Sequence, residues 1–299
     1  MPIQSSGQIS KQDVVDEFGG TAPHAMSEYY RGGGEVGSAN TNVPTSGEIQ
    51  MSDFYGAQDA ISQTINNGTT NVDAQTLFGT SDFQSSETKI IYVLSGSEIG
   101  GSGFGTGNRA LTIPSGMGGT LTINNAGTIS GSGGSPGGSG GAGASPHPTT
   151  GSAAGSPGGG GNVGGDAIYI NSNNVTVINT GTIRGGGGSG GGGSGGFSPE
   201  RGGGPGGTGG TGGRGQGFDG SAAAGNSGSP GGIRPGYPNR AGTPGATGGA
   251  GGSFGNAGSD GGSIGASGGS GGAAGKYIKL GSGISYTLTN SGTLQGNAP

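Results

Sequence analysis

Apolar residues are sparse along this chain, and where they gather they alternate with polar ones. Thr88-Lys89-Ile90-Ile91-Tyr92-Val93-Leu94 is the strongest strand run, and Ser95-Gly96-Ser97 ends it. The same alternation then returns three times. Ala110-Leu111-Thr112-Ile113 leads through a turn to Thr120-Leu121-Thr122-Ile123-Asn124-Asn125-Ala126-Gly127-Thr128-Ile129. Ala167-Ile168-Tyr169-Ile170 leads to Val175-Thr176-Val177-Ile178-Asn179-Thr180-Gly181-Thr182-Ile183, and Tyr277-Ile278-Lys279-Leu280 to Tyr286-Thr287-Leu288-Thr289-Asn290-Ser291-Gly292-Thr293-Leu294. Each unit reads as strand, turn, alternating strand, Asn-x-Gly bend and short strand. Copies stacked side by side would bury their Ile, Leu and Val faces on one another, and polar insertions are expected to leave that stack from one end.

The first 56 residues follow another pattern. Ser6-Gly7-Gln8-Ile9-Ser10 recurs as Ser46-Gly47-Glu48-Ile49-Gln50, and Met26-Ser27-Glu28-Tyr29-Tyr30 recurs as Met51-Ser52-Asp53-Phe54-Tyr55. In the second pair the Ser is expected to N-cap a single helical turn whose next residue is acidic. Gln12 to Phe18 reads as a short amphipathic helix stopped by Gly19-Gly20. The aromatics at these corners have two readings: a small core with Val14, Val15 and Phe18, or a docking face for a larger assembly.

Composition narrows the class. Of 299 residues 85 are Gly and 15 are Pro, and only 26% are hydrophobic, so one conventional core across the whole chain is excluded. Disordered chains are usually rich in charge, but here charged residues are 9% and the net charge is −5. Collagen needs roughly 15–20% Pro and a strict Gly-X-Y register. The absence of Cys removes disulfides and thiol chemistry, and two His in unrelated contexts, His24 and His147, argue for no metal site. No cofactor is expected. No basic stripe suits nucleic acid, no apolar run suits a membrane span, and MPIQSSGQIS has no secretory character.

Three glycine tracts, about 131–165, 185–222 and 242–275, remain. A flexible linker is the ordinary reading of such segments. Their spacing argues otherwise: Gly131, Gly134, Gly137, Gly140 and Gly143 fall every third residue, as do Gly203 to Gly215 and Gly249 to Gly261. Three residues per turn is the period of a left-handed polyproline-type helix, which has no internal hydrogen bonds. Side-chain-free edges would let such helices approach until N–H of one meets C=O of the next.

The Thr-Leu-Thr-Ile-Asn-Asn-x-Gly-Thr-Ile pattern followed by polyglycine (Gly127 to Gly143, Gly181 to Gly196) resembles glycine-rich tail-fibre and tail-tip proteins of tailed bacteriophages. The tracts are similar to the polyglycine sandwich of T-even-like long-tail-fibre adhesins, and the Ser-Gly-x-Ile-Ser to Met-Ser-Glu-Tyr-Tyr-Arg-Gly stretch to the leader of virion structural proteins. The expected fold is therefore mostly β with polyproline or polyglycine-II helices. A small mixed N-terminal attachment region (1–56) and a β-rich connection (57–108) would precede a distal adhesin-like unit (109–299) of stacked β-repeats with glycine-rich insertions. The resemblance implies a structural, non-enzymatic virion component at a tail fibre or tail tip. Its partners would be other tail proteins, through the N-terminal region, and a host glycan or outer-membrane protein; phage fibres are commonly homotrimers.

Recognition is expected where side chains interrupt the glycine period: His147; Phe197 and Arg201; Arg234, Tyr237, Asn239 and Arg240. Pro-flanked Arg, His and aromatic residues make preorganised contacts at low entropy cost. Assembly candidates are Tyr29, Tyr30, Arg31, Phe54 and Tyr55. Matches to Gly-x-Ser-x-Gly arise here from composition, and the scarce acids form no pair, so catalysis such as polysaccharide cleavage has little support. A glycine-rich ice-binding protein is the alternative function, disfavoured by the irregular Pro, Arg and Tyr insertions.

Overall fold

The computed structural model describes residues 3–32, 35–37, 40–57, 59–143, 154–198, 204–233 and 240–299. It is mostly β, with parallel sheets. The strands are β1 (Ala60–Ile65), β2 (Val72–Asp73), β3 (Thr88–Val93), β4 (Glu98–Gly100), β5 (Leu111–Ile113), β6 (Leu121–Asn125), β7 (Thr128–Ser130), β8 (Ile168–Ile170), β9 (Val175–Asn179), β10 (Thr182–Arg184), β11 (Ile278–Leu280), β12 (Tyr286–Asn290) and β13 (Thr293–Gln295). They form three sheets ordered β1-β3-β6-β9-β12, β4-β7-β10-β13 and β2-β5-β8-β11. The chain thus coils through the three sheets in turn, each coil pairing in register with the one before.

Period two decides which side chains enter the coil. Ile91, Ile123, Val177 and Leu288 share one inward row, and Ile99, Ile129, Ile183 and Leu294 another. All but the terminal Leu288 and Leu294 are buried, together with Leu111, Ile113, Ile168 and Ile170. Asn125, Asn179 and Asn290 stack at the bend, where Asn125 Nδ2 donates to Asn179 Oδ1 and Asn179 Nδ2 to Asn290 Oδ1, each at 2.7 Å. The ladder gives the buried Asn125 and Asn179 N–H groups acceptors that burial would otherwise deny them. Lys89 also points inward; its ammonium donates to the carbonyls of Ser85, Glu87 and Gly118 at 2.9–3.1 Å, and burial lowers its pKa. Helices α2 (Ala74–Phe78) and α3 (Thr80–Gln84) bury Phe78 and Phe83 in the same core.

Residues 3–57 have a separate core of Ile3, Ile9, Val14, Phe18, Tyr29, Val36, Val43, Phe54 and Ala57. Helix α1 (Lys11–Phe18) begins at a capping box between Ser10 and Asp13. The single turns Met26–Tyr29 and Met51–Phe54 start two residues earlier than the Ser-cap expectation. Ser27 and Ser52 lie inside them, and the acid closes the turn: Glu28 accepts from Ala25 N–H and Asp53 from Gln50 N–H. The duplicated motifs interlock reciprocally. Tyr30 hydroxyl donates to Gly47 carbonyl, and Tyr55 hydroxyl to Gly7 carbonyl.

The glycine segments are insertions in the coil, lying between β7 and β8 and between β10 and β11. They leave along a lateral edge, not from an end of the stack as expected, because both connections join the same two sheets within successive coils. Segment 185–196 is buried along its whole length. Its N–H groups serve three neighbours in rotation: Gly186, Ser189, Gly192 and Gly195 donate to segment 156–165, Gly187, Gly190, Gly193 and Gly196 to segment 207–216, and Gly188, Gly191 and Ser194 to segment 256–262. Its carbonyls accept from three others, 134–143, 246–252 and 269–275, again at every third residue. These bonds measure 2.7–3.1 Å. Glycine is required here by close approach, not by a left-handed backbone: a Cβ on Gly188 would meet Gly272 carbonyl oxygen at 1.9 Å, and one on Gly191 would meet that of Gly269 at 1.9 Å. Segment 223–232 is a further member, bonded to 205–214 and 242–251.

Charge pins this lattice to the coil. Arg184 pairs with Glu98 at 2.7 Å, donates to Ser130 and lies 3.7 Å over the Phe254 ring. Asp166, nearly buried, accepts from Lys276 N–H at 3.0 Å and faces Lys279 and Arg109 at 3.6 and 3.9 Å. Phe218 packs so tightly on Gly100 that a Cβ there would lie 1.9 Å from its ring.

Candidate functional site

The lattice has two unlike ends. Turns 217–220 and 253–256 bring Phe218 and Phe254 against the coil, so this end is fixed. At the other end lie the described residues that flank the three interruptions of the glycine period. Gly143 N–H bonds Gly196 carbonyl, Gly206 N–H bonds Gly143 carbonyl, and Gly204 N–H bonds Arg240 carbonyl at 2.8–3.0 Å. Phe197 and Thr243 exchange bonds through their backbones and the threonine hydroxyl at 2.8–3.1 Å. Ser198 hydroxyl, fully buried, donates to Gly204 carbonyl at 2.7 Å.

Of the recognition candidates, His147, Arg201, Arg234, Tyr237 and Asn239 lie outside the described residues. Phe197 is half-buried and Arg240 exposed, and their backbones are joined to the same free end through Thr243 and Gly204. Flanking residues of all three interruptions meet there, although they are far apart in the chain.

A fourth turn, residues 263–266, joins them and was not singled out from the sequence. Ile264 N–H donates to Ser194 hydroxyl at 2.7 Å, and Gly265, at φ +76, sits beside the Phe197 ring. A phase slip marks it: the three-residue run through Gly258 and Gly261 resumes only at Gly265 and Gly268. Ile233, 62% exposed, adds an apolar side chain at the same end.

The N-terminal candidates separate by burial. Tyr29 and Phe54 are fully buried, and Phe54 packs on Phe18 with ring centroids 6.2 Å apart. Tyr29 hydroxyl donates to Gly19 carbonyl at 2.7 Å; burial raises its pKa, and Glu28 and Glu35 act in the same direction. Tyr30, Arg31 and Tyr55 are half-exposed. Among the described residues no group of three His, Asp or Glu side chains is arranged to hold a metal ion, and no helix is long and apolar enough to cross a membrane.

A family model described as phage tail fibre adhesin Gp38 matches residues 60–299. The gp37-gp38 adhesin tip complex of the bacteriophage S16 long tail fibre, a crystal structure, is similar at 21% identity and a TM-score of 0.44, over 99% of this chain and 100% of that one. No curated protein matches.

Proposed function

This chain belongs to the phage tail fibre adhesin Gp38 family, a host-recognition component of the virion tail fibre, and on that premise we propose how its parts divide the work. Residues 109–299 hold the recognition loops, with the glycine segments as polyglycine-II helices packed into a rigid block. The three-residue rotation of hydrogen bonds around segment 185–196 supports this reading. The free end of that block is the receptor-binding tip, where His147, Phe197, Arg201, Arg234, Tyr237, Asn239 and Arg240 meet a host glycan or outer-membrane protein. The observation that carries it is the convergence of the residues flanking all three interruptions at the end of the lattice opposite the charged seam with the coil. Catalysis has no part in this reading.

Residues 1–56 attach the adhesin to another tail-fibre protein, with 57–108 as connection. Direct contact falls to Tyr30, Arg31 and Tyr55, since Tyr29 and Phe54 are inside the core. The lattice closes its hydrogen bonds within one chain, which favours a single copy over a homotrimer.

Particles carrying Tyr237→Ala with Arg234→Ala test the tip. Adsorption to host cells is expected to fall at least about tenfold with fibre incorporation unchanged; adsorption equal to the parent overturns the assignment. A chain lacking residues 1–56 is expected to fold yet fail to join particles, and normal incorporation overturns the attachment role.

A further inference from the structure

We propose that the outer face of the β1-β3-β6-β9-β12 sheet is a second binding surface, separate from the tip, for an uncharged polysaccharide lying across the strands. The lattice leaves from the connections between the other two sheets, so this face is turned away from it.

Two outward rows run across the sheet in register. One is Ser62, Ile90, Thr122, Thr176 and Thr287; the other is Thr64, Tyr92, Asn124, Ile178 and Thr289. Neither holds a charged residue, although the molecule gathers Glu98, Arg109, Asp166, Arg184, Lys276 and Lys279 at the lattice seam. An anionic polymer or a charged protein face would find no counterpart on these rows. Strand spacing of about 4.8 Å repeats the hydroxyls at close to the length of one pyranose unit.

The relief also suits a sugar chain. A trough of about 430 Å³ runs across three coils between Thr120, Asn174 and Ser285 on one side and Thr122, Thr176 and Thr287 on the other. Beyond the second row, Tyr92, Leu94 and Ile178 edge a smaller apolar trough of about 120 Å³. Leu94 is 52% exposed. Hydroxyl edges and C–H faces alternate on a pyranose, and this surface offers a polar row beside an apolar ledge.

The polar groups of the rows are available. At the margin Thr120 bonds Thr88, and Asn173 accepts from Ser285. The side chains of Thr122, Thr176, Thr287 and Asn124, by contrast, take no hydrogen bond from the described residues.

The test is binding of neutral hexasaccharides (maltohexaose, cellohexaose and chitohexaose) to the full chain, followed by ligand-observed NMR. At least one is expected to bind. Affinity is expected to fall about tenfold or more in Thr176→Lys and in Tyr92→Ser, each with an unchanged melting temperature, and to persist in the tip variant Tyr237→Ala. Absence of binding by all three sugars, binding by both face variants as tight as the parent's, or loss in the tip variant overturns the proposal. Because the tip assignment is read from host-cell adsorption of particles carrying Tyr237→Ala with Arg234→Ala, the two can fail independently.

Discussion

Replacing Gly190 by Ala tests the lattice at its centre. The added Cβ would lie 1.9 Å from Gly249 carbonyl oxygen, where ordinary contact begins at 3.4 Å, so segment 246–252 must withdraw by about 1.5 Å. That segment bonds the central one through Ala246, Gly249 and Gly252 at 2.7–2.9 Å, and the displacement breaks all three bonds. At about 1 kcal/mol net each, the loss is about 3 kcal/mol. For a chain of this size that corresponds to a fall in melting temperature of about 5 °C. Gly138→Ala is the matched control. Its Cβ meets nothing within 4 Å, and the backbone there is not left-handed, so the change should be neutral or stabilise by about 0.4–1 kcal/mol through the unfolded chain. Calorimetry on both variants decides. A Gly190→Ala melt within about 2 °C of the parent, or equal losses in the two variants, refutes the steric argument.

Three other substitutions probe the coil and its junction. Asn179→Ala removes the middle of the amide ladder and with it two side-chain hydrogen bonds, leaving Asn125 Nδ2 only the Thr182 carbonyl at 3.1 Å, so urea denaturation should show a loss of about 2 kcal/mol. Lys89→Met orphans the carbonyls of Ser85, Glu87 and Gly118 and should cost about 3 kcal/mol or more by the same assay. Burial raises the Glu87 pKa, with Asp59 and Asp82 adding to the shift and Lys89 opposing it. The folded chain therefore holds this proton more tightly than the unfolded one, and stability from this group falls as pH rises above the ordinary carboxylate value. Glu87→Gln should raise the melting temperature at pH 7, with the gain vanishing below the ordinary Glu pKa of 4.5.

Much of the coil was legible because one face of each strand is buried. In Leu121-Thr122-Ile123, Val175-Thr176-Val177 and Tyr286-Thr287-Leu288, period two separates inward from outward residues without tertiary knowledge. Segment 223–232 was less legible: its Gly225, Gly228 and Gly231 keep the three-residue period, but Ala, Asn and Ser dilute it. The seam was hidden for another reason. Glu98 and Arg184 are 86 positions apart, and local pattern carries no trace of such pairs. The Ser27 and Ser52 expectation failed because the acid at the third turn position reaches back to the preceding N–H and closes the turn first. At the tip, Phe197 stood out as a large side chain in a glycine field, whereas Ile264 was marked only by a slipped phase.

Backbone amides binding side-chain-free segments to one another are the claim on which the rest stands, and amide hydrogen exchange resolved by residue measures it directly. Gly186 to Gly196 should exchange orders of magnitude more slowly than unstructured glycine and lose protection together on heating. Exchange of that stretch at the rate of an open chain, while Ile123 and Val177 in the coil stay protected, would contradict the account.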